Sequence, residues 1–236
     1  MSKLELTVLS LRYSSWSMRP WLVLTHAGAI FETKTVELES FETTTLAERR
    51  ELGSVSGLFP ILRVDGQPIH ESLAIAEYVA EAFPAAKLWP EPLLERAGAR
   101  SICSEMASGF TAMRNEMACH LFARVPAFAP ADKTRSNIDR VLEIWTESLD
   151  KSGGPYLFGS ASIADFFYFP VLSRLRTYGI SLADDLESYA QSVEALPAVE
   201  ALMAKARTEP LTAVYDDYIV KLGGDPEATL PRQVLD

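Results

Sequence analysis

The chain has 236 residues and a mass of 26.1 kDa, with 48% apolar and 23% charged side chains, proportions of a soluble globular protein that can build its own core. Its 32 acidic and 22 basic residues leave a net charge of −10, which argues against a phosphate-tracking nucleic-acid binder and a general anionic-membrane binder. No run approaches the ~18 apolar residues of a membrane span. Lys3, Glu5, Arg12 and Arg19 interrupt the region where a signal peptide would be apolar, so the expected location is cytoplasmic. The acidity is uneven: residues 181–236 hold 11 acidic and 4 basic side chains.

In chain order, Leu4 to Leu9 alternates like a half-buried strand, and Trp21-Leu22-Val23-Leu24 begins a helix that stops at Ala27-Gly28. Thr33 to Leu38 reads as a second strand, so the three elements form a βαβ unit with a parallel, right-handed crossover. Leu46 to Leu52 suits a short helix. Ile61 to Val64 and Gln67 to His70 flank Asp65-Gly66, a strong type I′ hairpin signal. Pro68 cannot donate to a ladder and so predicts an edge strand. Ser72 to Phe83 has apolar residues at helical spacing and is stopped by Pro84.

Pro84, Pro90 and Pro92 mark a linker, dividing the chain into a mixed α/β domain over 1–84, a linker over 85–92 and an all-helical domain over 93–236. Ile102, Met106, Phe110, Met113, Met117 and Leu121 draw one apolar stripe and predict a single long helix. Ile138, Leu142, Trp145 and Leu149 make a second stripe. Ser162-Ile163-Ala164-Asp165 opens a third helix with an acidic capping box, and Leu182–Ala195 and Pro197–Ala206 supply two more. Pro210, Gly223, Gly224, Pro226 and Pro231 predict an irregular C-terminal tail.

Cys103 and Cys119 fall on the expected long helix, where sixteen residues separate them by roughly 24 Å, too far for a disulfide. His26, His70 and His120 lack metal-ligand spacing, so no metal site is expected. Tyr13-Ser14-Ser15-Trp16-Ser17-Met18-Arg19-Pro20 joins the first strand to the first helix. Pro20 suits a first turn, where a missing N–H costs nothing, which starts the helix within 16–19 and offers its free N–H groups to an anion or to a capping serine such as Ser17. Gly57-Leu58-Phe59-Pro60 precedes the third strand, where a cis-proline leaves the preceding residue's N–H and C=O free for an extended peptide. Glu71-Ser72 opens a helix whose N-terminus suits a carboxylate.

The serine pair opening the first helix, the G-x-x-P before the third strand, Glu71-Ser72 at the third helix and the Gly159 to Asp165 run in a helical second half together resemble the glutathione transferase superfamily over essentially the whole chain. The first helix motif is most similar to the serine-type, zeta-like class and its bacterial relatives, with Trp16 where the zeta motif has cysteine. The resemblance implies a thioredoxin-like domain binding glutathione as co-substrate, an all-α C-terminal domain, no metal, and a homodimer. It implies a transferase joining the glutathione thiolate to small hydrophobic electrophiles in detoxification, with maleylacetoacetate-type isomerisation, peroxide reduction or a non-enzymatic binding module as the alternatives.

No cysteine precedes Cys103, so the reacting sulfur belongs to the ligand. An ordinary thiol of pKa ~8.5 is about 3% ionised at pH 7, and a hydrogen bond to a charged acceptor lowers that pKa by about 1–2 units. One hydroxyl beside a helix N-terminus therefore suffices. Ser14 is the expected donor, with Ser15 and Tyr13 as alternatives. The resemblance further assigns glutathione contacts to Trp16, Phe59, Pro60, Glu71 and Ser72, with Arg49, Arg50 or His70 toward the glycyl carboxylate. Leu58 stands where zeta relatives often carry Gln. Phe110, Met113 and Arg114 are the expected electrophile pocket, Met113 as an adaptable apolar wall.

Overall fold

The computed structural model describes residues 2–36 and 44–228. The first half folds as β1 (Leu4–Val8), α1 (Ser15–His26), β2 (Phe31–Thr35), α2 (Leu46–Glu51), β3 (Ile61–Val64), β4 (Gln67–His70) and α3 (Ser72–Ala82). The sheet order is β2-β1-β3-β4, with β1 parallel to β2 and antiparallel to β3. This is the thioredoxin-like mixed α/β domain expected. Asp65 and Gly66 both have positive φ, as a type I′ turn requires, and Pro68 lies on the edge strand opposite Arg63. β2 begins two residues earlier than the expected Thr33, because pairing with β1 sets its extent at Leu4↔Phe31 through Val8↔Thr35. Glu37 and Leu38 of that expected strand lie outside the described residues.

The second half is helical: α4 (Leu93–Ser108), α5 (Thr111–Glu116), α6 (Asp132–Ser152), α7 (Ile163–Thr177), α8 (Asp184–Glu194), α9 (Pro197–Arg207) and α10 (Ala213–Lys221). A 3-10 turn at Pro84–Ala86 precedes it. α1 packs against α3, α7 and α9, so the site-bearing helix is shared by both halves.

Two expectations are corrected. The single helix through Ile102 to Leu121 is broken: Gly109 is extended and Phe110 is left-handed at φ 57 and ψ 31. The stripe survives because Met106, Phe110, Met113 and Met117 are all buried across the break, so the spacing reports a buried face rather than a continuous helix. Cys119 therefore lies past α5, and the separation computed along one helix does not apply; both thiols are buried and free. The C-terminal tail is also not irregular throughout. Between Pro210 and Gly223 the run Thr212–Leu222 contains no helix breaker and forms α10, anchored by the buried Ile219. Residues 229–236 of that expected tail lie outside the described residues.

The capping box at α7 is present, its carboxylate fully buried: Asp165 accepts from the N–H and hydroxyl of Ser162 at 2.9 and 3.0 Å and from the N–H of Leu157 at 3.1 Å. Burial outweighs these donors and pushes Asp165 up to about 6. A carboxyl that holds its proton more tightly folded than unfolded is stabilised below its unfolded pKa, and that contribution is lost as pH rises through about 6. Urea titrations should show the wild type losing roughly 1 kcal/mol relative to Asp165→Asn between pH 5 and pH 7. Asp165→Ala, which orphans three donors, should cost about 3 kcal/mol or more.

Candidate functional site

The N-cap of α1 is Ser14, not Ser17. Its Oγ accepts from the Ser17 N–H at 3.3 Å, and its own hydroxyl proton has no acceptor among the described residues. Ser17 instead faces inward and accepts from the Leu9 N–H at 3.1 Å. Since the helix begins at Ser15, Pro20 is its sixth residue rather than part of its first turn. A proline there removes the N–H that would bond the carbonyl four residues back, that of Trp16. The replacement comes from another helix: the Ser72 hydroxyl donates to the Trp16 carbonyl at 3.3 Å.

That hydrogen bond joins the N-termini of α1 and α3, placing two positive helix ends side by side. Glu71 caps α3 from φ 68 and ψ 129, a backbone conformation costing about 1–3 kcal/mol, with an exposed side chain that makes no capping bond. The Phe59–Pro60 bond is cis, and Phe59 stands just outside the β3 ladder. Leu58 beside it is exposed.

Around Trp16 the structure gathers three guanidiniums. Arg19 lies over the Trp16 ring at 4.4 Å and Arg114 at 5.2 Å, while Arg174 donates to the Ser15 hydroxyl at 3.5 Å. Their other hydrogen bonds go to main-chain carbonyls: Arg19 to Phe167, Arg114 to Met106, and Arg174 to Met117 and Pro170. Among the described residues none of the three is ion-paired with a carboxylate. Burial, then the neighbouring Arg174, brings Arg19 down to about 9, so it is still a cation at neutral pH. Burial and Arg174 also lower Arg114. The result is a local positive field in a protein of net charge −10.

The remaining expected residues divide. Ser15 is buried against Arg174, and the Tyr13 hydroxyl is taken by Asp216 at 2.9 Å, with the Tyr13 ring stacked on Tyr215. Met113 is wholly buried and Phe110 nearly so, which leaves Arg114 as the member of that trio brought to Trp16. Arg50 donates to the Val55 carbonyl at 3.1 Å and Arg49 to the Thr44 carbonyl. The His70 ring nitrogens have no hydrogen-bond partner among the described residues. Sequence reasoning did not reach Arg19 or Arg174 as site residues; a lone Arg within the apolar run Trp16 to Leu24, and another within Phe166 to Leu175, were the available signals.

Residues 4–81 match the family model of the glutathione S-transferase N-terminal domain, and residues 105–205 match that of the C-terminal domain. A probable maleylacetoacetate isomerase of Caenorhabditis elegans is 30% identical over 170 residues, 72% of this chain and 77% of the relative. A maleylacetoacetate isomerase of Rattus norvegicus is 26% identical over 171 residues, 72% of this chain and 78% of the relative. Among solved structures, a glutathione transferase homolog from Burkholderia with bound glutathione superposes with a TM-score of 0.68 at 24% identity, covering 88% of this chain and all of that one.

The link between Pro20 and Ser72 is open to a double-mutant cycle. Ser72→Ala strands the Trp16 carbonyl and should destabilise by about 1–2 kcal/mol. Pro20→Ala restores the helical N–H, so the double variant should be about 1 kcal/mol more stable in urea titration than the two single losses sum to.

Proposed function

The chain belongs to the glutathione S-transferase superfamily, and on that premise we propose that it is a glutathione-dependent enzyme acting on a small anionic electrophile, with isomerisation of an unsaturated keto acid of the maleylacetoacetate type as its reaction. The observation that carries the reading is the convergence of a free Ser14 hydroxyl, two helix N-termini and three guanidiniums without carboxylate partners on one place.

Glutathione supplies the thiol. Ser14, whose oxygen is oriented by the Ser17 N–H, donates its proton to the sulfur and so holds it as thiolate at neutral pH. Ser15 is the alternative donor, but its oxygen already accepts from Arg174. The Ser72 main-chain N–H at the α3 terminus receives the γ-glutamyl carboxylate, the Ser72 hydroxyl being committed to the Trp16 carbonyl, with Glu71 toward the amine. Phe59, beside cis-Pro60, pairs with the cysteinyl main chain. Trp16 walls the sulfur.

The thiolate adds to the conjugated cis double bond, the resulting single bond rotates, and elimination of the same sulfur returns the trans acid and the thiolate. No atom is gained or lost. Arg114, with Arg174 behind it, faces the substrate carboxylate and the enolate charge that develops during addition. The names of the two isomerase relatives favour this reading over conjugation. A second reading, conjugation to a neutral apolar electrophile, is favoured by one feature: the aromatic face of Trp16 where the zeta motif carries cysteine.

Two assays on purified protein separate these. A cis-dienone acid should isomerise only with glutathione present. Ser14→Ala should lower kcat roughly 10- to 100-fold while leaving glutathione binding within a few-fold, and full activity in that variant would move the role to Ser15. Arg114→Ala should raise KM for the anionic acid about tenfold and leave turnover of a neutral aryl halide unchanged. Conjugation of the aryl halide with no isomerisation would select the second reading.

A further inference from the structure

The acid-rich residues 209–227 do not form a loose solvated tail. They converge on the turn Ser10–Tyr13 that leads from β1 into Ser14. Glu209 accepts from the Ser10 hydroxyl at 2.8 Å and the Leu11 N–H at 2.6 Å through one oxygen, and from the Thr35 hydroxyl at 3.3 Å through the other. Glu227 pairs with the buried Arg12 guanidinium. Asp216 accepts from the Tyr13 hydroxyl and from His120 Nε2, both at 2.9 Å; burial holds His120 below its ordinary value, as a neutral donor. Each residue from Ser10 to Tyr13 is thus met by a carboxylate contributed by 209–227.

Ser10 transmits this to the site. Its hydroxyl donates to Glu209 and accepts from the Arg12 N–H at 3.0 Å, while its carbonyl accepts from the Ser14 N–H at 2.9 Å. One carboxylate therefore fixes the turn whose closing bond orients Ser14. We propose that Glu209 is a positioning residue for the glutathione thiolate, acting through Ser10 and Leu11 on the Ser14 hydroxyl. The proposal rests on the role given to Ser14 above. A hydrogen bond to a thiolate is directional, so a displacement of the donor by a fraction of an ångström weakens it.

The sign of the effect separates positioning from charge. If Glu209 acted through its negative charge, removing it would make the bound thiol easier to ionise. If it positions Ser14, removing it makes ionisation harder. The bound thiol is titrated by the ultraviolet absorbance of its thiolate in wild type, Glu209→Ala, Glu209→Gln and Ser10→Ala. Glu209→Ala should raise the thiol pKa by about one unit and lower kcat at pH 7 roughly tenfold, with recovery at alkaline pH and KM for glutathione within about twofold. Glu209→Gln, whose amide oxygen still accepts from Leu11 and Ser10, should stay near wild type. Ser10→Ala, which leaves the carboxylate in place, should shift the thiol in the same direction by less, and it carries the test if Glu209→Ala does not fold.

An unshifted or lowered thiol pKa in Glu209→Ala, or an unshifted one in Ser10→Ala should that variant carry the test, overturns the positioning role alone. A wild type whose bound thiol titrates at its ordinary value overturns the Ser14 reading and this role with it.

Discussion

One hydrogen bond organises this site, and it exists because a proline is in the wrong place for its helix. Pro20 cannot bond the carbonyl of Trp16, so a buried acceptor at the start of α1 must find a donor elsewhere, and Ser72 supplies it. The cost of leaving that carbonyl unmet adds to the apolar packing that holds α3 against α1. Both helix ends then point the same way, and their partial positive charges reinforce each other at the spot where an anion would sit. An ordinary residue at 20 would satisfy Trp16 locally and leave apolar packing alone to set where the two helices meet.

Electrostatics act on this frame at short range. The chain is acidic as a whole, but Arg19, Arg114 and Arg174 are partly or wholly dehydrated around Trp16, where their field is least screened. Folding this cluster without acidic partners is unfavourable by itself. The surrounding carbonyls and aromatic faces offset part of that, and an anionic ligand would offset more. Net charge is therefore a poor guide to what such a protein binds.

What could be read from the residues follows from how local each signal is. The β3–β4 hairpin was legible because Asp65-Gly66 demands positive φ at two successive positions and Pro68 forbids a central strand. The α7 start was legible because Ser162 and Asp165 lie within one turn of each other. The break at Gly109–Phe110 was not, since a stripe that stays buried on both sides of a kink has the same spacing as one on a straight helix. The cap of α1 falls at Ser14 rather than Ser17 because Pro20 sits deeper in the helix than the first-turn position proline most often takes. Arg174 and Glu209 were invisible for another reason: each meets the first turn of the chain from more than 150 residues away, and no local rule reports that.

The clamp on Ser10–Tyr13 also has a bearing on biosynthesis. Every residue assigned to glutathione lies within the first 72, yet the turn that aims Ser14 closes against a carboxylate 198 positions further along. The mixed α/β domain emerges from the ribosome early and can form its sheet at once, because the strands are near neighbours in sequence. The turn before Ser14 must wait for α9 and the segment beyond it to be translated and to dock. An early-folding domain thus carries a turn whose carboxylate partner is translated much later.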